Sequence, residues 1–380
     1  MNAGAWKIPL FDLDYGPEEE EAVRRVVRSG WLTQGPETQA FEEEFARYLG
    51  VPEVVMTSSG TTALHLAYLA AGLKPGDEVI VPSLTFIATV SPLLWMGVRV
   101  VFADILSVRQ PVIGPETVAP LIGPRTRAVV YVSYNGLQEP LPALRDLCEE
   151  HGLLLIEDAA HATGGRAPDG RPAGSLAPIA AFSFFANKTL PVGEGGALAT
   201  HLPEVARQAR LLRSHGMTSL SWDRYRRRSL TYDVVRLGFN YRASELAAAL
   251  ARVRLRKLTV EVAQRRERVA RYRRLLAQAG MPVEPVPAPL ETGSHYIFPV
   301  LVPRDREGLM QHLKNQGIQT SVHYPPVHRF RAVREALGDA LPSLPHTEEF
   351  SRRELTLPLY SRLSPGQMDQ VVEAIHAFFA

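Results

Sequence analysis

The chain has 380 residues, 46% of them apolar and 22% charged, the balance of a soluble globular protein. Its formal net charge of +2 gives no electrostatic ground for a nucleic-acid or membrane-surface partner. The single cysteine, Cys148, excludes an intramolecular disulfide and a thiolate metal site.

The N-terminus opens without a basic-then-apolar signal segment. No apolar run approaches the ~20 residues of a membrane span, so a cytoplasmic protein is the simplest reading. The length exceeds what one core usually supports, which predicts a large domain and a smaller one. Short Val/Ile/Leu-rich runs alternate with helical patterns from about residue 40 to residue 200. Strands are expected at Val54–Met56, Glu78–Val81, Arg99–Ala103, Ala128–Val132, Leu153–Glu157, Ala181–Phe184 and Gly196–Thr200. Helices fall between several of them, such as Thr62–Gly72 and Leu141–His151. Cys148, in the second of these, reads as a half-buried core residue. Continuous apolar strands alternating with helices predict a mainly parallel α/β sheet of seven strands.

From Ser244 to about Gly280 the pattern turns long and helical, and its Arg252, Arg254, Arg256, Arg265, Arg266 and Arg268 read as a solvated polar face. A second αβ unit follows, with strands at His295–Val302 and Ile318–His323 and helices at Arg306–Gln316 and Gly366–Phe379. The division is placed between residues 1–250 and 251–380.

Five features carry chemistry. Thr57-Ser-Ser-Gly-Thr-Thr62 lies between a strand and a helix. Its amides and the helix dipole suit a phosphate, although Ser and Thr there also serve as ordinary caps. Leu153-Leu-Leu-Ile-Glu-Asp158 sets a carboxylate at a strand end, where ligands gather in α/β sheets. Asp158 can cap a loop, bind a metal or pair with a protonated heterocyclic nitrogen such as that of pyridoxal phosphate (PLP). His161, after two small alanines, is either a buried structural histidine or a donor to such a ring.

The lysines are Lys7, Lys74, Lys188, Lys257 and Lys314, and only Lys188 follows an apolar strand and precedes a Gly-rich turn. Dry surroundings disfavour its ammonium and activate the amine for Schiff-base chemistry. Phe86, just past another strand end, can stack on a planar ring or simply pack. Asn240 and Arg242, in Gly238-Phe-Asn-Tyr-Arg242, are candidates for phosphate or substrate contacts, or turn-forming residues before a helix.

In this order the features resemble the DegT-type family of PLP-dependent sugar aminotransferases, of fold type I. The resemblance runs almost end to end, through Gly30-Trp-Leu-Thr-Gln-Gly-Pro36, Ser58-Ser-Gly-Thr-Thr-Ala-Leu-His65, Ile156-Glu-Asp-Ala-Ala-His161, Lys188, Asn240-Tyr-Arg242 and His323-Tyr-Pro-Pro326. It implies a large PLP-binding domain and a smaller C-terminal one. Lys188 would hold the cofactor as a Schiff base and shuttle a proton, Asp158 would pair with the pyridinium nitrogen, and His161 would sit near the phenolic oxygen. Phe86 would stack on the ring, and Gly60, Thr61, Thr62 and Ser183 would hold the phosphate. Asn240 would reach the neighbouring subunit's site, which implies a homodimer with shared active sites. Arg242 and His323 are substrate candidates.

The implied reaction is ping-pong transfer from an amino acid, glutamate, to a nucleotide-linked keto sugar. A non-sugar ketone such as a cyclitol, or a PLP-binding regulator without turnover, stand as alternatives. A deoxygenating relative is disfavoured because Lys188 is present. Leu106-Ser-Val-Arg-Gln-Pro111 and Ser133 depart from the family pattern, in loops expected to face the substrate.

Overall fold

The computed structural model describes residues 6–219, 221–226, 229–338 and 342–380. Its main sheet has seven strands: β1 (Glu53–Thr57), β2 (Glu78–Pro82), β3 (Arg99–Ala103), β4 (Thr126–Val132), β5 (Leu154–Asp158), β6 (Ile179–Ser183) and β7 (Gly196–Thr200). Their spatial order is β1-β7-β6-β5-β4-β2-β3. The β3, β2, β4, β5 and β6 ladder is parallel, and β7 runs antiparallel to both β6 and β1.

Both faces of the sheet are buried because side chains alternate along each strand. In β2, Val79 and Val81 enter one core cluster while Ile80 enters the cluster on the other side. In β1, Val55 faces the first cluster and Val54 and Met56 face a third. This is why the strands read as unbroken apolar runs. Cys148 is fully buried in the core rather than half-buried.

Helix α1 (Pro17–Ser29) and helix α2 (Pro36–Leu49) pack on a 34-residue helix, α3 (Glu245–Gln278), which spans about 51 Å at the usual rise per residue. The first half of α3 adds Ala247, Ala251 and Leu258 to the core beside β1 and β7. Its second half adds Val269, Tyr272 and Leu276 to a separate core with Phe298, Leu355 and Ile375. That core is covered by a three-stranded antiparallel sheet of β8 (Glu284–Pro285), β9 (Phe298–Leu301) and β10 (Glu354–Leu357), in the order β10-β9-β8.

Several expectations are corrected here. The arginines of α3 do not form one solvated face: Arg256 is exposed, but Arg254 and Arg265 are only 2% and 6% exposed. Arg254 pairs with Glu19 and Glu261, and Arg265 donates to the main-chain oxygens of His295, Tyr296 and Leu359. Arg252 bridges to Glu37 and Glu44 on α2. Sequence periodicity missed this because, Glu261 on the same helix apart, the acidic partners Glu19, Glu37 and Glu44 come from α1 and α2, more than 200 residues away.

Residues 318–323 do not form a strand. Ile318 pairs only with Ile8, and Ser321 only with Thr356, as isolated bridges. The main-chain N–H of His323 donates instead to the side chain of Glu354, so the ladder cannot continue. The edge-strand position is taken by β10, which no expectation included. Strand β9 begins at Phe298 rather than His295, whose φ of 49° is left-handed and incompatible with a strand.

Candidate active site

The carboxyl ends of β4, β5 and β6 open onto a cavity of about 430 Å³. It is walled on the other side by Tyr296, His323 and Tyr324 from the C-terminal part of the chain. The structure brings Gly60, Thr61, Phe86, Asp158, His161, Ser183, Lys188 and His323 to this cavity.

One wall is the turn between β1 and the helix Gly60–Ala70. Ser59 and Thr62 form a reciprocal cap: Thr62 N–H donates to Ser59 Oγ at 3.2 Å and Ser59 N–H to Thr62 Oγ1 at 3.0 Å. Thr62 is therefore spent on the cap and does not line the cavity. The Gly60 and Thr61 amides meet no acceptor among the described residues. Side chains are excluded from the closest approach: a Cβ on Gly60 would lie 2.8 Å from Ser183 Cβ, and one on Gly196 would lie 2.3 Å from Ser59 O. Both features expected of this turn, cap and open amides, are present together.

Asp158, at the end of β5, is 6% exposed. Its Oδ2 accepts from Thr89 Oγ1 at 2.7 Å and its Oδ1 from Ala160 N–H at 3.2 Å. Burial raises its pKa, opposed by these two donors and by the charge of Lys188. Lys188 sits in the loop after β6, fixed by the Lys188 N–H donating to Phe185 O at 2.9 Å. Its Nζ lies 4.1 Å from the centre of the Tyr296 ring. Burial pushes its ammonium down to about 7, against the attraction of Asp158.

His161 is 5% exposed, accepts from Asn135 N–H at 3.4 Å and shares a 2.7 Å hydrogen bond with Tyr324 Oη. Burial, and then Lys188 and His323, hold its pKa well below the usual range, so the ring is neutral. Phe86 stays 57% exposed at the cavity mouth, its ring 6.0 Å from that of Tyr324.

Asn240 and Arg242 stand outside the cavity. Asn240 is exposed, and its main chain bridges to Ser214. Arg242 Nη1 is buried and takes no hydrogen bond among the described residues. The loops expected to face the substrate do not line the cavity either. Ser133 Oγ donates to the buried Glu157 Oε1 at 2.6 Å, and Arg109 pairs with Glu284 at the surface.

Four contributors escaped sequence reasoning: Thr89, Asn187, Tyr296 and Tyr324. Thr89 belongs to a short turn with no polar pattern. Tyr324 lay within the His323-Tyr-Pro-Pro326 match and was the one with a signal.

The description of the DegT/DnrJ/EryC1/StrS aminotransferase family matches residues 14–376. The chain belongs to this family. It is 36% identical to the spore coat polysaccharide biosynthesis protein SpsC of Bacillus subtilis (strain 168), over 97% of this chain and 95% of that one. Among solved structures it is similar to the aminotransferase TlmJ from Streptoalloteichus hindustanus, with 34% identity, a TM-score of 0.89 and 98% of each chain covered. It is also similar to S. venezuelae DesV, solved in complex with a ketimine intermediate, with 36% identity, a TM-score of 0.88 and 98% of each chain covered.

The chain is thus a fold-type-I, PLP-dependent aminotransferase. The residues present fit that cofactor. A buried carboxylate with a raised pKa calls for a cationic partner, which a pyridinium N–H supplies. The open amides of Gly60 and Thr61 and the Ser183 hydroxyl suit a phosphate, and a half-buried amine held near 7 suits an aldehyde. No helix among the described residues is long and apolar enough to cross a membrane.

Proposed function

We propose that this aminotransferase moves an amino group from glutamate to the keto group of a nucleotide-linked sugar, in two half-reactions at the one cavity. The observation that carries the reading is that Lys188 and Asp158 line the same cavity, each perturbed by burial and each felt electrostatically by the other. PLP, when bound, supplies the carbonyl that condenses with amines and the ring that accepts the electron pair released at the substrate carbon.

Lys188 Nζ would hold the cofactor covalently and, once displaced, would carry the proton between the substrate carbon and the C4′ carbon of the cofactor. A neutral amine is needed for both duties, and burial provides it at neutral pH. Asp158 would keep the ring nitrogen protonated, oriented by the Thr89 hydroxyl. Phe86 would cover one ring face and His161 would lie near the phenolic oxygen. Gly60, Thr61 and Ser183 would hold the phosphate, with Thr62 shaping the turn through its cap.

We also propose a homodimer with shared sites, in which Asn240 reaches the neighbouring subunit's phosphate and Arg242 an anionic group. The exposed Leu230, Val235 and Leu237, of which Leu230 is 93% and Leu237 90% exposed, support a partner covering this segment. The buried Arg242 Nη1, which has no hydrogen-bond acceptor among the described residues, supports an anionic neighbour. The division into domains 1–250 and 251–380 belongs to the same reading, supported by the separate core that the second half of α3 enters.

Sugar specificity is supported by similarity to a polysaccharide-biosynthesis protein. Protein loaded with pyridoxamine phosphate should be presented with a panel of nucleotide-linked 3-keto and 4-keto hexoses, with cyclitol ketones as controls. Conversion of the cofactor band by a keto sugar is expected; conversion by cyclitol ketones alone would overturn the sugar reading.

A further inference from the structure

His323 lines the cavity, but its orientation is set from behind, by groups that do not touch the cavity. His323 Nδ1 is 2.8 Å from Thr356 Oγ1, and Thr356 Oγ1 is 2.5 Å from Glu354 Oε1. The other carboxyl oxygen, Glu354 Oε2, accepts the main-chain N–H of His323 at 2.7 Å. Glu354 is fully buried and Thr356 is 1% exposed. Among the described residues His323 Nε2 has no hydrogen-bond partner, which leaves it to the cavity.

A hydroxyl has one hydrogen to give, so this chain has only two self-consistent proton arrangements. With an ionised carboxylate, Thr356 donates to Glu354 and His323 Nδ1–H donates to Thr356, leaving a bare lone pair on Nε2. With a neutral carboxyl, the acid hydrogen on Oε1 donates to Thr356 and Thr356 donates to Nδ1, so Nε2 carries the hydrogen. The main-chain N–H fixed on Oε2 keeps Oε1 as the oxygen that faces Thr356.

We infer that Glu354, acting through Thr356, is a positioning residue that sets the tautomer of His323, and that a neutral Glu354 presents His323 Nε2–H to the ketone oxygen of the acceptor. Its use on a ketone rests on the aminotransferase reading above; the tautomer itself does not.

Burial pushes the Glu354 carboxyl up to about 8, opposed by the Thr356 hydroxyl, the His323 amide and the Arg306 charge. The neutral form therefore prevails at neutral pH. The other ionisable groups that feel Glu354 are Tyr134 and Tyr324, both held protonated by burial. His323 is itself held down to about 3, by burial and then by Lys188, so it stays uncharged throughout and any change in its ring is a change of tautomer. The second histidine near it, His161, is likewise neutral.

The test is ¹⁵N NMR of histidine side chains in PLP-loaded protein, where the Lys188 amine is engaged; the His323 signals are identified by their loss in His323→Gln. In the wild type, Nε2 should show a protonated, pyrrole-type shift below about 8, and Nδ1 should show it above. Glu354→Gln should lock the hydrogen on Nε2 at every pH. Its amide oxygen must face the His323 N–H, which leaves its NH₂ to donate to Thr356. Thr356→Val should uncouple the ring from pH, and Thr356→Ser should restore the coupling.

In pyridoxamine-phosphate-loaded protein, the single-turnover rate with 2-oxoglutarate as ketone probe should fall severalfold as pH rises through about 8, and this limb should vanish in Glu354→Gln. A wild-type ring that keeps one tautomer across the range, or a Thr356→Val ring that titrates like the wild type, would overturn the relay. The same alkaline limb in Glu354→Gln would overturn its use on the ketone. Absence of any turnover with 2-oxoglutarate would count against the glutamate donor and leave the relay to be decided by the tautomer measurement.

Discussion

Lys188 offers a quantitative test in cofactor-free protein. An ordinary lysine titrates at 10.5, and burial brings Lys188 to about 7. The difference is about 3.5 pKa units, or roughly 5 kcal/mol of preference for the neutral amine. At pH 7.5 an ordinary lysine is only about 0.1% neutral, whereas a group titrating near 7 is about three-quarters neutral. Capture of PLP by the apoprotein, followed by growth of its absorbance band after rapid mixing, should rise with a midpoint near pH 7 and level off above pH 8. A rate still climbing past pH 9 would show an unperturbed amine and refute the reasoning.

The same shift has a stability consequence. The amine binds its proton less readily folded than unfolded, so folding is disfavoured below pH 7. That penalty fades as pH rises from about 7 to about 10.5, so the apoprotein should become more resistant to urea over that window. Lys188→Met apoprotein should lack this rise.

Further outcomes follow from other contacts. Asp158→Asn keeps the shape and the Thr89 contact but removes the carboxylate proposed to face the ring nitrogen, so turnover should drop on the order of 10²-fold or more while cofactor still binds; steady-state rates on holoprotein check this. Arg254→Met strands the buried Glu261 without its paired cation and leaves Glu19 with Lys257 alone, and should destabilise the fold by about 3–5 kcal/mol, read from denaturant midpoints. If sites are shared, mixing equal amounts of inactive Lys188→Ala and Asn240→Ala subunits should restore up to about a quarter of wild-type activity, because about half of the dimers are hybrids and one of the two sites in each holds both side chains. No recovery after confirmed subunit exchange would show that one chain builds the whole site.

The sequence revealed the elements whose signals are local. The main-sheet strands were legible because burial on both faces leaves continuous apolar runs, and Lys188 because the chain is poor in lysine and this one alone follows such a strand. The Ser59–Thr62 turn was legible as a cap, which it forms, and its open Gly60 and Thr61 amides leave the proposed phosphate role available. What stayed hidden depends on pairs distant in sequence. Arg254 looked solvated until α1 brought Glu19 beside it. Residues 318–323 have strand-like composition, yet the side chain of Glu354 takes the His323 N–H that a ladder would need. Tyr296 beneath Lys188 and Thr89 behind Asp158 carry no motif of their own. Asn240 was a candidate from its motif and was given the neighbouring subunit's site by resemblance; within one chain it is exposed and does not line the cavity.

The central claim is that Lys188 is the amine that holds the cofactor. Holoprotein should be reduced with borohydride, digested and analysed by mass spectrometry. The account predicts one phosphopyridoxyl group, on the peptide containing Lys188, and none on Lys7, Lys74, Lys257 or Lys314. Label on another lysine, or a Lys188→Ala protein that still transfers amino groups at the wild-type rate, would contradict it.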